Sequence, residues 1–241
     1  MSGTSAVERD ARTKGLRQTA RKVIRVAASP LFWIVALFGG AGRLDWARGW
    51  ISVALWVGGV SAIGLVVRRY NAPVMEAREK WRRKDTKPFD KVFLAALLPL
   101  VFLQPAVAGL DVVRLRWSSM PGALAYPGAV LLMLAMALIA WAMAVNRHAE
   151  ATVRIQTDRA HTVVDSGPYR VVRHPMYVGA ILMYVATPLV WGSVAALGIT
   201  GVIIVLFILR TAMEDMTLRL ELPGYKEYAT RTPYRLLPRV W

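Results

Sequence analysis

Along the 241-residue chain, apolar and polar positions separate into blocks rather than alternating. Four apolar stretches, 24–41, 51–67, 92–113 and 127–145, each approach the roughly 20 residues that carry a helix across a bilayer's hydrocarbon core. A fifth, 177–209, is too long for one crossing. Pro188 and the Trp191-Gly192-Ser193 trio near its middle supply a bend, and such breakers are tolerated in membranes where neighbouring helices satisfy the freed backbone groups. The pattern predicts six spans, the last two a tight hairpin. At 1.5 Å per residue each arm of that hairpin is about 27 Å long, so Arg210 and Glu214 return to the level of His174 and Tyr177.

Positive charge orients the bundle. Of the 31 lysines and arginines, 27 lie before the first span or at its second residue (Arg25), in 68–91, in 146–176 and in the tail, against 4 in the intervening segments. Positive residues mark the cytoplasmic side, so both termini and these two loops are expected there. The same distribution accounts for the formal net charge of +16. The charges fall where topology and anionic headgroups place them, with no nucleic-acid motif beside them, so nucleic acid is not an expected partner. A hydrophobic fraction of 56% and a mean hydropathy of +0.40 agree with a membrane protein. The expected fold is thus an all-α polytopic transmembrane bundle with a C-terminal cytoplasmic cap. Its expected division is an amphipathic N-terminal segment and four spans over 1–145, and a functional region over 146–241.

Other classes fall away. Without cysteine there are no disulfides, thiol nucleophiles or cysteine metal sites. The three histidines, His148, His161 and His174, lack zinc-helix spacing, and no carboxylate cluster suits calcium or a di-iron centre, so no metal is expected. Gly58, Gly59 and Gly64 sit inside an apolar stretch, where glycine more often serves close helix packing than phosphate binding. The charged first 22 residues are followed by no small-residue cleavage site, so the first apolar run is read as a retained span. Val7, Ala11, Leu16, Ala20 and Val23 suit a helix lying on the headgroups, or equally a frayed terminus. Loop 68–91, with Trp81 and Phe89 among many charges, reads as a solvated connection with interfacial aromatic anchors.

The candidate chemistry lies after residue 145. Gln156, His161, Tyr169, His174, Tyr177 and Glu214 bring amide, imidazole, phenol and carboxylate groups to one membrane depth. Arg210 and Glu214, four residues apart, share a helix face. Ionisable residues at such a position are a functional-site hypothesis by default. Leu218, Leu222, Tyr225 and Tyr228 are placed to fold the tail back over the site, with Pro223-Gly224 breaking it into two pieces.

The run HTVVDSGPYRVVRHPMYVG, followed by Arg210, Glu214-Asp215 and LPGYKEYATRTPYRLLPRVW, resembles the isoprenylcysteine carboxyl methyltransferases and the related phospholipid methyltransferases. The resemblance spans roughly 146–241 and is looser upstream. It implies S-adenosyl-L-methionine as methyl donor, bound on the cytoplasmic side outside the soluble methyltransferase fold. Carried over position by position, it implies a cofactor cradle of Gln156; His161, Thr162, Val163 and Val164; Tyr169; His174, Pro175, Met176 and Tyr177; and Glu214. The family's substrate-side arginine falls on Arg210, and Asp215 stands where the family often has a second glutamate. The chemistry of the donor agrees. Glu214 suits its ammonium, His174 and backbone N–H groups its carboxylate, and Tyr169 or Tyr177 its sulfonium through a cation–π contact of about 0.5 to 2 kcal/mol.

The implied activity is methylation of a lipophilic acceptor in the membrane, most like isoprenylcysteine carboxyl O-methylation. Phospholipid amines and small thiols are the other acceptors such a cradle serves. Two further readings stay open: a sterol-reductase-like oxidoreductase using NADPH, and a membrane scaffold without catalysis.

Overall fold

A computed structural model describes residues 31–79 and 84–241. The proposed N-terminal surface helix and Trp81 lie outside these residues. Among the described residues no strand occurs, and seven α-helices follow in order. They are α1 (Leu31–Ala41), α2 (Ala47–Glu79), α3 (Pro88–Gly109), α4 (Ala125–Val145), α5 (Pro175–Trp191), α6 (Val194–Glu221) and α7 (Tyr225–Arg231). The α2, α3, α4 and α6 regions are long and apolar enough to cross a membrane, and α1 and α5 are shorter apolar helices. Each of the six predicted spans corresponds to an apolar helix of this helical membrane bundle, four of them long enough to cross and two shorter, with residues 24–30 of the first outside the described set.

Helix α4 packs along both α5 and α2, while α3 packs along α6. The α4–α5 seam is close because it is built on glycine. A Cβ on Gly128 would come within 2.8 Å of Leu189 Cβ, and one on Gly179 within 2.6 Å of Ile139 Cγ1. Of the three glycines in the second apolar stretch, only Gly59 serves packing: a Cβ there would collide with Met136 Sδ, whereas Gly58 and Gly64 face open space.

The α5–α6 hairpin turns where the sequence allows it, through a narrower device than expected. Pro188 stays inside α5, and its carbonyl accepts from the N–H groups of Gly192 and Ser193. The reversal itself is made by Gly192 at φ +83°, a conformation with little cost only without a Cβ. Ser193 then caps α6 by accepting from Ala196 N–H at 3.0 Å. At this end of the bundle the buried Asp111 carboxylate gathers Ser118, Ser193 and the Ala195 N–H.

The reading of 68–91 as a solvated loop is corrected. Helix α2 continues through Glu79, with a kink at Asn71 (φ −153°) just before Pro73. Proline breaks a helix by removing an N–H and crowding the preceding turn. Here the break is compensated by tertiary bonds. Asn71 Nδ2 donates to Met143 O at 2.7 Å, Val74 and Ala77 are buried, and Arg78 reaches the loop beyond α4.

Candidate active site

Five helix ends meet at the positively charged end of the bundle: the C-termini of α2 and α4, the N-termini of α3 and α5, and the last turns of α6. Residues of 146–174, the start of α5, the last turns of α6 and α7 line a cavity there of about 800 Å³, counting its open mouth.

The loop wall is held by a polar knot. The buried Arg154 guanidinium grips Glu150 through two bonds of 2.8 and 2.9 Å and also reaches Asp158 and Asp85. Behind it, Thr162 N–H donates to His148 Nε2 and Gln156 N–H donates to His161 Nδ1, both at 3.3 Å. With Nε2 accepting, His148 carries its proton on Nδ1 and donates to Gln156 Oε1. Burial, with positive neighbours, lowers the pKa of His148, and burial beside His148 brings His161 down to about 4. Both rings are therefore neutral at neutral pH, as their acceptor roles require. Gln156 is fully engaged: its Nε2 donates to His148 O at 2.7 Å and its Oε1 also accepts from Arg159. Tyr169 accepts from Asn146 Nδ2 at 2.9 Å, and burial pushes its phenol well up, keeping it neutral.

The helical wall carries the charges. Glu214 accepts a hydrogen bond from the Tyr177 hydroxyl. Tyr177 in turn stacks on His174, with centroids 5.5 Å apart and planes 7° apart. Arg210 pairs with Asp90 across the α3–α6 seam at 2.9 Å, and its guanidinium lies over the rings of Phe93 (4.4 Å) and Tyr177 (5.0 Å). Its Nη2 also donates to Ala151 O.

Asp215 does not line this cavity. It is wholly buried and accepts from Arg173, Arg219, Arg235 and the Tyr225 hydroxyl, with His174 Nε2 3.5 Å away. Its carboxylate thus ties α6 to the start of α5 and to the tail. The tail folds back as expected: Leu222, Tyr225 and Tyr228 pack with Leu218, Ile155 and Val163, and Gly224 at φ +80° makes the break before α7.

Of the twelve residues singled out in the sequence, eleven line the cavity; Pro175 does not, standing instead at the first position of α5. Gln156 contributes mainly by holding both loop histidines. Sequence reasoning missed Asn146, His148, Thr152 and Arg173 on the lining, and Asp90 and Arg78 just behind it. For Asp90 one signal was available, an acidic residue in the first turn of an otherwise apolar helix. Nothing local marked Thr152.

Fold and site together define a polytopic helical membrane protein with a polar small-molecule cavity at one end of its bundle. Residues 124–220 match the family model described as phospholipid methyltransferase, which belongs to the same integral membrane methyltransferase group as the isoprenylcysteine carboxyl methyltransferases. The match runs over α4, the loop, α5 and nearly all of α6, and the tail after residue 220 lies outside it. No curated protein matches the chain.

Proposed function

We propose that the protein is an S-adenosylmethionine-dependent membrane methyltransferase that modifies a lipophilic acceptor at the end of the bundle bearing the cavity, on the cytoplasmic side. The observation that carries this reading is the lining of one cavity by Glu214, Tyr177, His148 and His161 together with Arg210, whose guanidinium lies over Phe93 and Tyr177.

The donor set fits the cofactor. Glu214 is the carboxylate for its ammonium, and His174, which lines the cavity with its Nε2 3.5 Å from Asp215, serves its carboxylate. Tyr177 already packs on His174 and Arg210, so Tyr169 is the ring left for the sulfonium. S-adenosylmethionine supplies a methyl group on a positively charged sulfur with a neutral thioether as leaving group. The protein's task is therefore positioning and exclusion of water. Leu218, Leu222, Tyr225 and Tyr228 do the latter by closing the tail over the cavity.

The acceptor we favour is a lipid carboxylate, as in isoprenylcysteine O-methylation, with Arg210 steering its oxygen. A second reading, a phospholipid amine, is favoured by the family match and by the Asp90–Arg210 pair, which already compensates the arginine's charge. The testing experiment is calorimetric titration of the detergent-solubilised protein with S-adenosylhomocysteine, wild type beside Glu214→Ala. Saturable binding lost in the variant is expected; no binding to folded wild type would overturn the proposal.

A further inference from the structure

The wall strip 149–153 is held by its backbone with unusual completeness. Arg78 Nη1, from the end of α2, donates to Ala149 O at 2.9 Å and Glu150 O at 3.1 Å. Arg210 Nη2, from α6, donates to Ala151 O at 3.2 Å. Val153 N–H donates to Asp90 Oδ2 at 2.7 Å, and Val153 O accepts from Lys87 N–H at 3.0 Å, both at the start of α3. Groups from three helices thus fix the backbone of four of these five residues, all but Thr152, and none of these bonds involves a side chain of the strip.

Amid these anchors stands Thr152, buried to 6% exposure, lining the cavity, and with its hydroxyl unpartnered. Two other buried nitrogens on the cavity wall lack a hydrogen-bond partner: His174 Nε2, which faces Asp215 at 3.5 Å, and Arg210 Nε. Thr152 and Arg210 belong to one assembly: Arg210 grips the residue before Thr152, and its ion-pair partner Asp90 grips the residue after it. A buried donor without an acceptor is costly to the fold, and native structures keep such groups where a ligand completes them.

We infer that Thr152 Oγ1 and Arg210 Nε form the head-group subsite of the acceptor, two donors converging on an oxyanion carried by a lipid, a carboxylate or a phosphodiester. Asp90 offsets the guanidinium's charge, so the subsite holds its ligand by directed hydrogen bonds more than by net attraction. The apolar chain then follows Phe93, Phe207 and Leu97, which pack together beside Arg210. Thr152 is a specificity-determining residue. This inference rests on the methyltransferase reading for the ligand's role, but its test is a binding measurement that stands without catalysis.

The experiment follows the thermal stability of the purified full-length protein in detergent with three probes: farnesylated cysteine, phosphatidylethanolamine and farnesol. A ligand that binds only the folded state raises the unfolding temperature. Farnesylcysteine or phosphatidylethanolamine should stabilise the wild type, and the one that does identifies the oxyanion; farnesol, which has none, should not match it. Thr152→Val should weaken that binding about tenfold, the loss of one hydrogen bond to a charged group, and Thr152→Ser should restore it. S-adenosylhomocysteine affinity should stay within about twofold in both variants. Equal binding of the oxyanion lipid to wild type and Thr152→Val, or failure of both oxyanion lipids to stabilise folded wild type, would overturn the subsite. Loss of S-adenosylhomocysteine binding in step with lipid binding would also overturn it, by showing that Thr152 serves the cavity wall in general. Absence of S-adenosylhomocysteine binding in the wild type, with lipid binding intact, would instead remove the methyltransferase reading and leave the lipid subsite standing.

Discussion

Arg210 pairs with Asp90, 2.9 Å away on the neighbouring helix, while Glu214, one turn further along Arg210's own helix, takes the Tyr177 hydroxyl. Helical spacing brings the arginine and glutamate to one face, but the tertiary structure gives each a different partner. The two charges, one turn apart, thus stand in different surroundings, the arginine's charge offset by Asp90 and the glutamate's by no salt bridge among the described residues.

Removing Asp90 strands a buried guanidinium. Breaking one partner of a buried pair costs about 3 to 5 kcal/mol, so Asp90→Ala should lower the unfolding temperature in detergent sharply. Combining it with Arg210→Met should cost clearly less than the sum of the two single changes, because both delete the same interaction. Strict additivity in that thermal double-mutant cycle would show that the pair is not coupled in solution.

Tyr177→Phe deletes the hydroxyl that orients Glu214 and leaves the stacking on His174 in place. The loss of one hydrogen bond to a charged group is worth about 1.5 to 3 kcal/mol, so S-adenosylhomocysteine affinity should fall by about ten- to a hundredfold in calorimetry. Glu214→Ala should reduce it further.

Acid should loosen the loop wall before it unfolds the bundle. His161 titrates at about 4 in the fold, lowered first by burial and then by His148, against about 6.5 in an unfolded chain. Between these values the unfolded chain binds more protons, so this stabilisation is complete above about pH 6.5 and is lost as pH falls towards 4. Protonation also removes the acceptor that His161 Nδ1 offers to Gln156 N–H. Unfolding temperature followed from pH 8 to 4 should drop more steeply for wild type than for His161→Leu; parallel curves would count against the assignment.

Asp215 should behave as a structural centre. Asp215→Asn keeps the shape but removes the charge that Arg173, Arg219 and Arg235 share. Loss of such a buried network costs about 3 kcal/mol or more, and the tail it anchors should become cleavable by limited proteolysis beyond Glu221. A protease-resistant variant of unchanged thermal stability would contradict that role.

Much of this architecture was legible in the chain. Apolar run lengths mark the membrane helices because the bilayer sets a fixed thickness to cross. The meeting of His174 and Tyr177 with Arg210 and Glu214 follows from two equal antiparallel arms joined at Gly192, geometry written in residue counts and one breaker. The cavity-facing residues of that hairpin, and the folding back of Leu222, Tyr225 and Tyr228, could be read for the same reason.

Only the tertiary structure decided the partners. Asp90 precedes Arg210 by 120 residues and Arg173 precedes Asp215 by 42, and no local pattern says which buried charge will stand opposite which. Helix α2 runs on through Asn71 and Pro73 because Met143, Ala149 and Glu150 lend it carbonyls, a compensation invisible in a stretch that reads as a charged loop. Thr152 is an unremarkable residue in the sequence, and becomes a candidate ligand contact only because three helix ends hold its neighbours and leave its hydroxyl alone. Periodicity and length are local properties, recorded in the order of residues, whereas the pairing of buried polar groups is decided by which helix ends share a space from which water is excluded.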